Sequence, residues 1–134
     1  MSKLEKIEGI GEKYAKKLTD AGVPSREKLL EKGASSQGRR EIAGKSGISE
    51  TLILKWVNQA DLARVRGISE EYGDLLEVTG VDSVPELAAR NPEKLYNNLV
   101  QVNGSKKLVR KLPSQKQISA WIEEARKLPR VVTH

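Results

Sequence analysis

Gly9, Ile10 and Gly11, followed by Lys13, Lys16 and Lys17, are the residues of this chain whose types and spacing are best suited to chemistry, and that chemistry is the holding of an anion. Glycine on both sides of one apolar residue permits a tight reversal between two short helices, with Ile10 as the plug. Ala15 is small enough for the helices to approach closely, and Tyr14 and Leu18, four apart, share the inward face of the second helix. A helix starting here leaves the amides of Gly11 to Lys13 without intrahelical acceptors, at the positive end of its dipole. Backbone donors so placed suit a phosphate. Lys13, Lys16 and Lys17 fall at i, i+3 and i+4 and put positive charge on one face beside them.

A second, weaker version of the pattern runs from Val65 to Leu76, as Val65-Arg66-Gly67-Ile68-Ser69-Glu70-Glu71-Tyr72-Gly73-Asp74-Leu75-Leu76. Gly67 matches Gly9, but Ser69 replaces Gly11 and Gly73 replaces Ala15. Glu70, Glu71, Asp74 and Glu77 make this hairpin acidic, and carboxylates repel a phosphate more than a helix dipole worth about 0.3–1 kcal/mol attracts it. The densest basic run, Gly104 to Lys111, holds Lys106, Lys107, Arg110 and Lys111. It reads as a solvated loop or as a backbone clamp that offsets the acidic hairpin. Arg39 and Arg40 read as a solvated helix start or as two further phosphate contacts. General acid–base chemistry needs carboxylates in a shielded cleft or a histidine near its pKa. His134 is the sole histidine and is terminal, the acidic residues lie among lysines on polar faces, and neither metal-ligand spacing nor a phosphate-binding loop of the Walker type occurs. The expected protein is non-catalytic and needs no cofactor.

The elements that must position these residues are set by an internal repeat. Gly9 and Gly67 stand 58 positions apart, and Tyr14, Gly22, Val23 and Leu29 recur as Tyr72, Gly80, Val81 and Leu87. Ile53 and Trp56 recur as Ile118 and Trp121 at an offset of 65, which places seven extra residues in the stretch 102–113. The chain therefore divides into halves at 1–60 and 61–134, the second with a basic insertion at 102–113. The junction 56–65 lacks Gly and Pro, reads as helix and predicts a rigid connection. No segment alternates as a strand does. The pattern predicts an all-α fold with about five short helices per half, at 2–7, 11–21, 25–33, 38–45, 49–65, 69–79, 83–90, 92–101 and 114–128. Ser25, Ser49, Ser69, Ser83 and Ser114 are placed as N-caps, Ser83 with Glu86 as a capping box. Trp56 and Trp121, on amphipathic helices, are expected in the core rather than stacked on bases, which requires exposed aromatics. Tyr14 and Tyr72 are likewise inward by period.

Composition bounds the reading. The 134 residues carry 24 basic and 18 acidic side chains, a net charge of +6, compatible with a polyanionic partner. There is no cysteine, hence no disulfide framework or thiolate site. No apolar run approaches the roughly 20 residues that span a bilayer. No apolar stretch follows Met1 to Lys6 as in a signal peptide, and the expected compartment is the cytoplasm.

The segment Ile7 to Leu18 resembles the helix-hairpin-helix motif of DNA-repair, polymerase and recombination proteins, with every motif position filled. The resemblance implies that Gly9, Ile10 and Gly11, with Lys13 beside them, grip one backbone phosphate irrespective of sequence, and it allows a monovalent cation at the hairpin carbonyls. Each half also carries a degenerate partner hairpin, at Lys45-Ser46-Gly47-Ile48-Ser49 and at Lys111-Leu112-Pro113-Ser114. Two such hairpins in about 60 residues resemble the SAM-like fold of tandem helix-hairpin-helix domains. Over nearly its full length the chain is also similar to a bacterial family, domain of unknown function 4332, through Gly38-Arg39-Arg40, Thr51 to Leu62 with Trp56, and Trp121-Ile122. What these resemblances imply is sequence-nonspecific binding of a nucleic acid, DNA before RNA. The alternative is a protein-interaction adaptor that docks partners on the acidic second half.

Overall fold

The structure is a computed structural model that describes residues 3–7 and 9–133. Met1 and His134, considered above, lie outside the described residues, as do Ser2, where the helix expected at 2–7 starts, and Glu8. All regular structure among these residues is helical. The chain forms two compact units, Met1–Asp61 together with Val131–His134, and Leu62–Arg130.

The first unit opens with a single 3₁₀ turn, Leu4–Lys6, followed by α1 (Glu12–Asp20), α2 (Arg26–Lys32), α3 (Ser36–Ser46) and α4 (Glu50–Leu62). Serines set the starts: Ser25 Oγ accepts from the Lys28 amide and Ser35 Oγ from the Gly38 amide. Gly47 ends α3 in the left-handed region, φ 75°, with its amide donating to Ala43 O. The core gathers Leu4, Ile7, Ile10, Leu18, Val23, Leu29, Ile42, Ile53 and Trp56. Gly33 lets the end of α2 approach α4, and Gly38 lets α3 approach α2. A Cβ on Gly33 would sit 2.6 Å from Val57 Cγ2, and one on Gly38 would collide with the Lys32 carbonyl oxygen.

The second unit contains α5 (Glu70–Val78), α6 (Val84–Ala88), α7 (Pro92–Lys106) and α8 (Gln115–Lys127). Ser69, Ser83, Asn91 and Ser114 cap their starts. At Ser114 the bond is reciprocated, since Gln117 Oε1 accepts from the Ser114 amide. Leu75, Leu76, Val81, Leu87, Leu95, Leu99, Ile118, Trp121 and Ile122 form the core around Leu62.

Four expectations need correction. Among the described residues the first unit has four α-helices rather than five, because Leu4–Lys6 forms only a 3₁₀ turn, and the second has four rather than about five. The junction helix stops at Leu62, where the Val65 amide closes a turn on the Leu62 carbonyl at 3.0 Å. Residues 131–133 go with the first unit instead of the second: Val132 is buried in its core, and the Thr133 amide donates to Ala34 O at 2.8 Å. Lastly, α7 does not end near 101 but runs through Gly104 to Lys106, so the basic stretch begins on a helix. Buried Leu95 and Leu99 anchor that helix, enough to outweigh the roughly 1 kcal/mol that an interior Gly costs against Ala.

Candidate nucleic-acid interface

The first hairpin is built on two backbone bonds. The Ile7 amide donates to Leu4 O at 2.9 Å, and the Ile10 amide to Ile7 O at 3.1 Å. Gly9 turns the chain at φ 91°, a region L-residues avoid. A Cβ there would lie 3.5 Å from Trp56 Nε1, so the indole edge backs the turn. Trp56 is held in turn by Tyr14, their rings 5.1 Å apart and tilted by 60°. Ile10 is buried beneath the turn while Gly9 and Gly11 are exposed, so at this position only backbone can meet a ligand. Gly11 is the N-cap of α1 and, being glycine, offers the helix no capping side chain. The Ala15 amide is taken by Gly11 O, and among the described residues no side chain accepts from the amides of the first turn.

Lys13 stands in this first turn, and Lys16 and Lys17 follow along the same face, Lys17 in the last turn of α1; all three are exposed. Lys13 makes no ion pair among the described residues. Lys16 reaches Asp20 at 3.9 Å with both side chains largely in solvent, and Lys17 lies 5.8 Å from the centroid of the Tyr14 ring. Both contacts are weak and yield readily to a phosphate. Glu12, in the same first turn, is the one carboxylate on that turn.

The second hairpin repeats the backbone and changes the chemistry. Val65 donates to Leu62 O at 3.0 Å and Ile68 to Val65 O at 3.3 Å, Gly67 has φ 93°, and Trp121 Nε1 would stand 3.0 Å from a Cβ there. Tyr72 and Trp121 are 5.4 Å apart at 53°. Yet Ser69 Oγ accepts from the Tyr72 amide, so a side chain occupies the helix start that Gly11 leaves open. Glu70 and Glu71 fill its first turn. Gly67 is exposed, but it leads into an occupied, negatively charged terminus.

Arg39 is not a phosphate contact, which corrects the expectation for the pair Arg39–Arg40. It is 5% exposed and points into the first unit. Its Nη1 donates to Gly33 O and Ala34 O at 2.8 and 3.1 Å, and its Nη2 to Thr133 O at 2.7 Å. Burial lowers its pKa from the ordinary arginine value, and Glu50 partly restores it. Arg40 is exposed.

The remaining predicted cations lie on one segment of the second unit. Lys106 ends α7, Lys107 takes the left-handed conformation at φ 52°, and Arg110 and Lys111 follow, all exposed. Sequence reasoning missed the residue that shapes this segment, Asn103. Its Oδ1 accepts from the Val109 amide at 2.9 Å and its Nδ2 donates to Val109 O at 3.1 Å. It also missed the buried polar run Asn58, Gln59 and Asp61 on α4. Among the described residues no helix is long and apolar enough to cross a membrane.

A family model described as "Domain of unknown function (DUF4332)" matches residues 8–128, nearly the whole chain. No curated protein and no solved structure matches it.

Proposed function

The chain belongs to the DUF4332 family, and we propose that it is a non-catalytic protein that binds a nucleic-acid backbone, DNA in the first place, through helix-hairpin-helix units of the SAM-like kind. In this reading each unit is one copy of the module. The matched positive-φ glycines Gly9 and Gly67, backed by Trp56 and Trp121 and by Tyr14 and Tyr72, support the copying. The observation that carries the functional part is the start of α1: an exposed glycine cap, no side chain among the described residues bonded to the first-turn amides, Lys13 in that turn and Lys16 and Lys17 further along the same face. Amides and lysines together make a phosphate site that reads no base, because phosphate contacts carry no sequence information. A monovalent cation at the hairpin carbonyls is compatible with this reading.

The test is a titration of the full chain with short labelled DNA duplexes of unrelated sequence across a range of salt. Lys13, Lys16 and Lys17 changed together to Glu should weaken binding to every duplex equally. The log–log salt slope should flatten by about 0.9 for each phosphate that is no longer neutralised. Wild-type protein with no affinity at low salt, where screening is weakest, would defeat the proposal. The adaptor reading would then gain, with one observation in its favour: α5 carries exposed Glu70 and Glu71 and an exposed apolar residue, Val78, at 47% exposure.

A further inference from the structure

We infer that the segment joining α7 to α8 is a pre-shaped grip of the second unit for a nucleic-acid backbone, held in place by Asn103 and Tyr72, and that it stands in for the hairpin that unit has blocked. The ligand class rests on the reading above; the shape of the segment does not.

Lys106, Lys107, Arg110 and Lys111 make no ion pair among the described residues, and all four side chains are exposed. Between them the apolar residues turn the other way. Leu108 and Leu112 pack on the core of the second unit, Val109 is 7% exposed and Pro113 is buried. The segment thus sorts its side chains, two cations out, two apolar residues in, two cations out, two apolar residues in. Unanchored basic loops have no reason to sort in this way. Asn103 fixes one side by pairing its amide with both backbone groups of Val109. Tyr72 fixes the other, its hydroxyl donating to Lys111 O at 3.0 Å. That bond also sets the cations beside the start of α5, where Ser69 covers the amide and Glu70 and Glu71 repel anions.

The sorting points to a soluble polyanion and away from a lipid surface. Interfacial membrane binding needs apolar side chains free to enter the acyl boundary, and here Val109 and Pro113 are buried while the half-buried Leu108 and Leu112 pack on the core. A row of cations held by backbone anchors loses less freedom on meeting phosphates than a mobile loop does. The four cations supply charge without any aromatic for base stacking, which suits a backbone ligand.

The experiment measures anisotropy of a labelled duplex of arbitrary sequence against the full chain at several salt concentrations. One variant changes Lys106, Lys107, Arg110 and Lys111 to Gln. A control changes Lys3, Lys55, Lys94 and Lys127 to Gln and so removes the same net charge elsewhere. The segment variant should lower the log–log salt slope by up to about 3.6, at 0.9 for each phosphate neutralised on duplex DNA, and the control by much less. Asn103→Ala keeps every cation, so it should weaken binding with the slope retained; circular dichroism verifies that each variant is folded. Equal effects of the segment variant and the control would overturn the inference, as would tighter binding to vesicles of anionic phospholipid than to the duplex. If Lys13, Lys16 and Lys17 changed to Gln abolish binding while the segment variant does not, the segment is wrong and the hairpin reading stands. The opposite pattern removes the hairpin reading and keeps the segment.

Discussion

The hairpin at Gly9 and the hairpin at Gly67 share their turn bonds, their glycine conformation and their Trp–Tyr support, and they differ in what covers the start of the next helix. At Gly11 there is no side chain. At Ser69 there is a hydroxyl bonded to the Tyr72 amide, with two glutamates behind it. The comparison separates two kinds of residue that a motif blends together. Gly9, Gly67, Trp56 and Trp121 make the turn, and the turn survives in both units whatever surrounds it. Gly11 and the lysines concern what the turn can hold, and they occur in one unit only. The turn can thus be kept as architecture whether the helix start behind it is covered or open.

The largest effect that would test this division is at the indoles. Both are buried, each against its own hairpin glycine, so Trp56→Ala and Trp121→Ala should each cost about 3–5 kcal/mol. That is comparable with the whole stability of a small domain. Denaturant unfolding followed by circular dichroism measures it. A variant that keeps its stability and loses only ligand binding would move its tryptophan from the architecture to the site.

Next in size are the glycines. Gly9→Ala and Gly67→Ala each force an L-residue to a φ near 90°, at about 1–2 kcal/mol. Gly67→Ala should cost more than Gly9→Ala, because its Cβ meets Trp121 Nε1 at 3.0 Å where the other has 3.5 Å from Trp56. Equal costs would show that the indole moves aside freely and that the turn alone sets the penalty.

The residues legible in the sequence were those whose role is local. The all-helical pattern followed from apolar spacing and serine caps, and Gly22 and Gly80, matched in the repeat, stand at positive φ just past α1 and α5, where the bonds are short-range. What was hidden depends on contacts far along the chain. Arg39 looked like half of a basic pair, yet its guanidinium gathers carbonyls at 33, 34 and 133, the last 94 positions away. One signal was there: Arg39 shares a helix face with buried Ile42, three residues on, which is not where a solvated arginine belongs. Asn103 was hidden for a different reason. An Asn beside Gly104 reads as the end of a helix, and only the folded segment shows its side chain pairing with Val109 six residues later.

The smallest expected effect is the sharpest test, because it carries a single side chain, the N-cap, from one hairpin to the other and leaves the charges as they are. Gly11→Ser gives α1 the hydroxyl that α5 already has. Gly11 has φ −88° and ψ −176°, an extended conformation that serine adopts without strain, and nothing lies within 4 Å of a Cβ there. The new hydroxyl can therefore accept from the amide of Tyr14, as Ser69 does from Tyr72. Serine over glycine at an N-cap is worth only a few tenths of a kcal/mol, so the melting temperature should hold or rise slightly. DNA affinity at low salt should fall, because the hydroxyl competes with a phosphate for that amide and holds it at a bond's length. Stability and binding would then move in opposite directions from one substitution, which neither a folding defect nor a change in charge can produce. If Gly11→Ser binds as wild type does, the amides of α1 are not the grip, and the lysines around them act as charge alone.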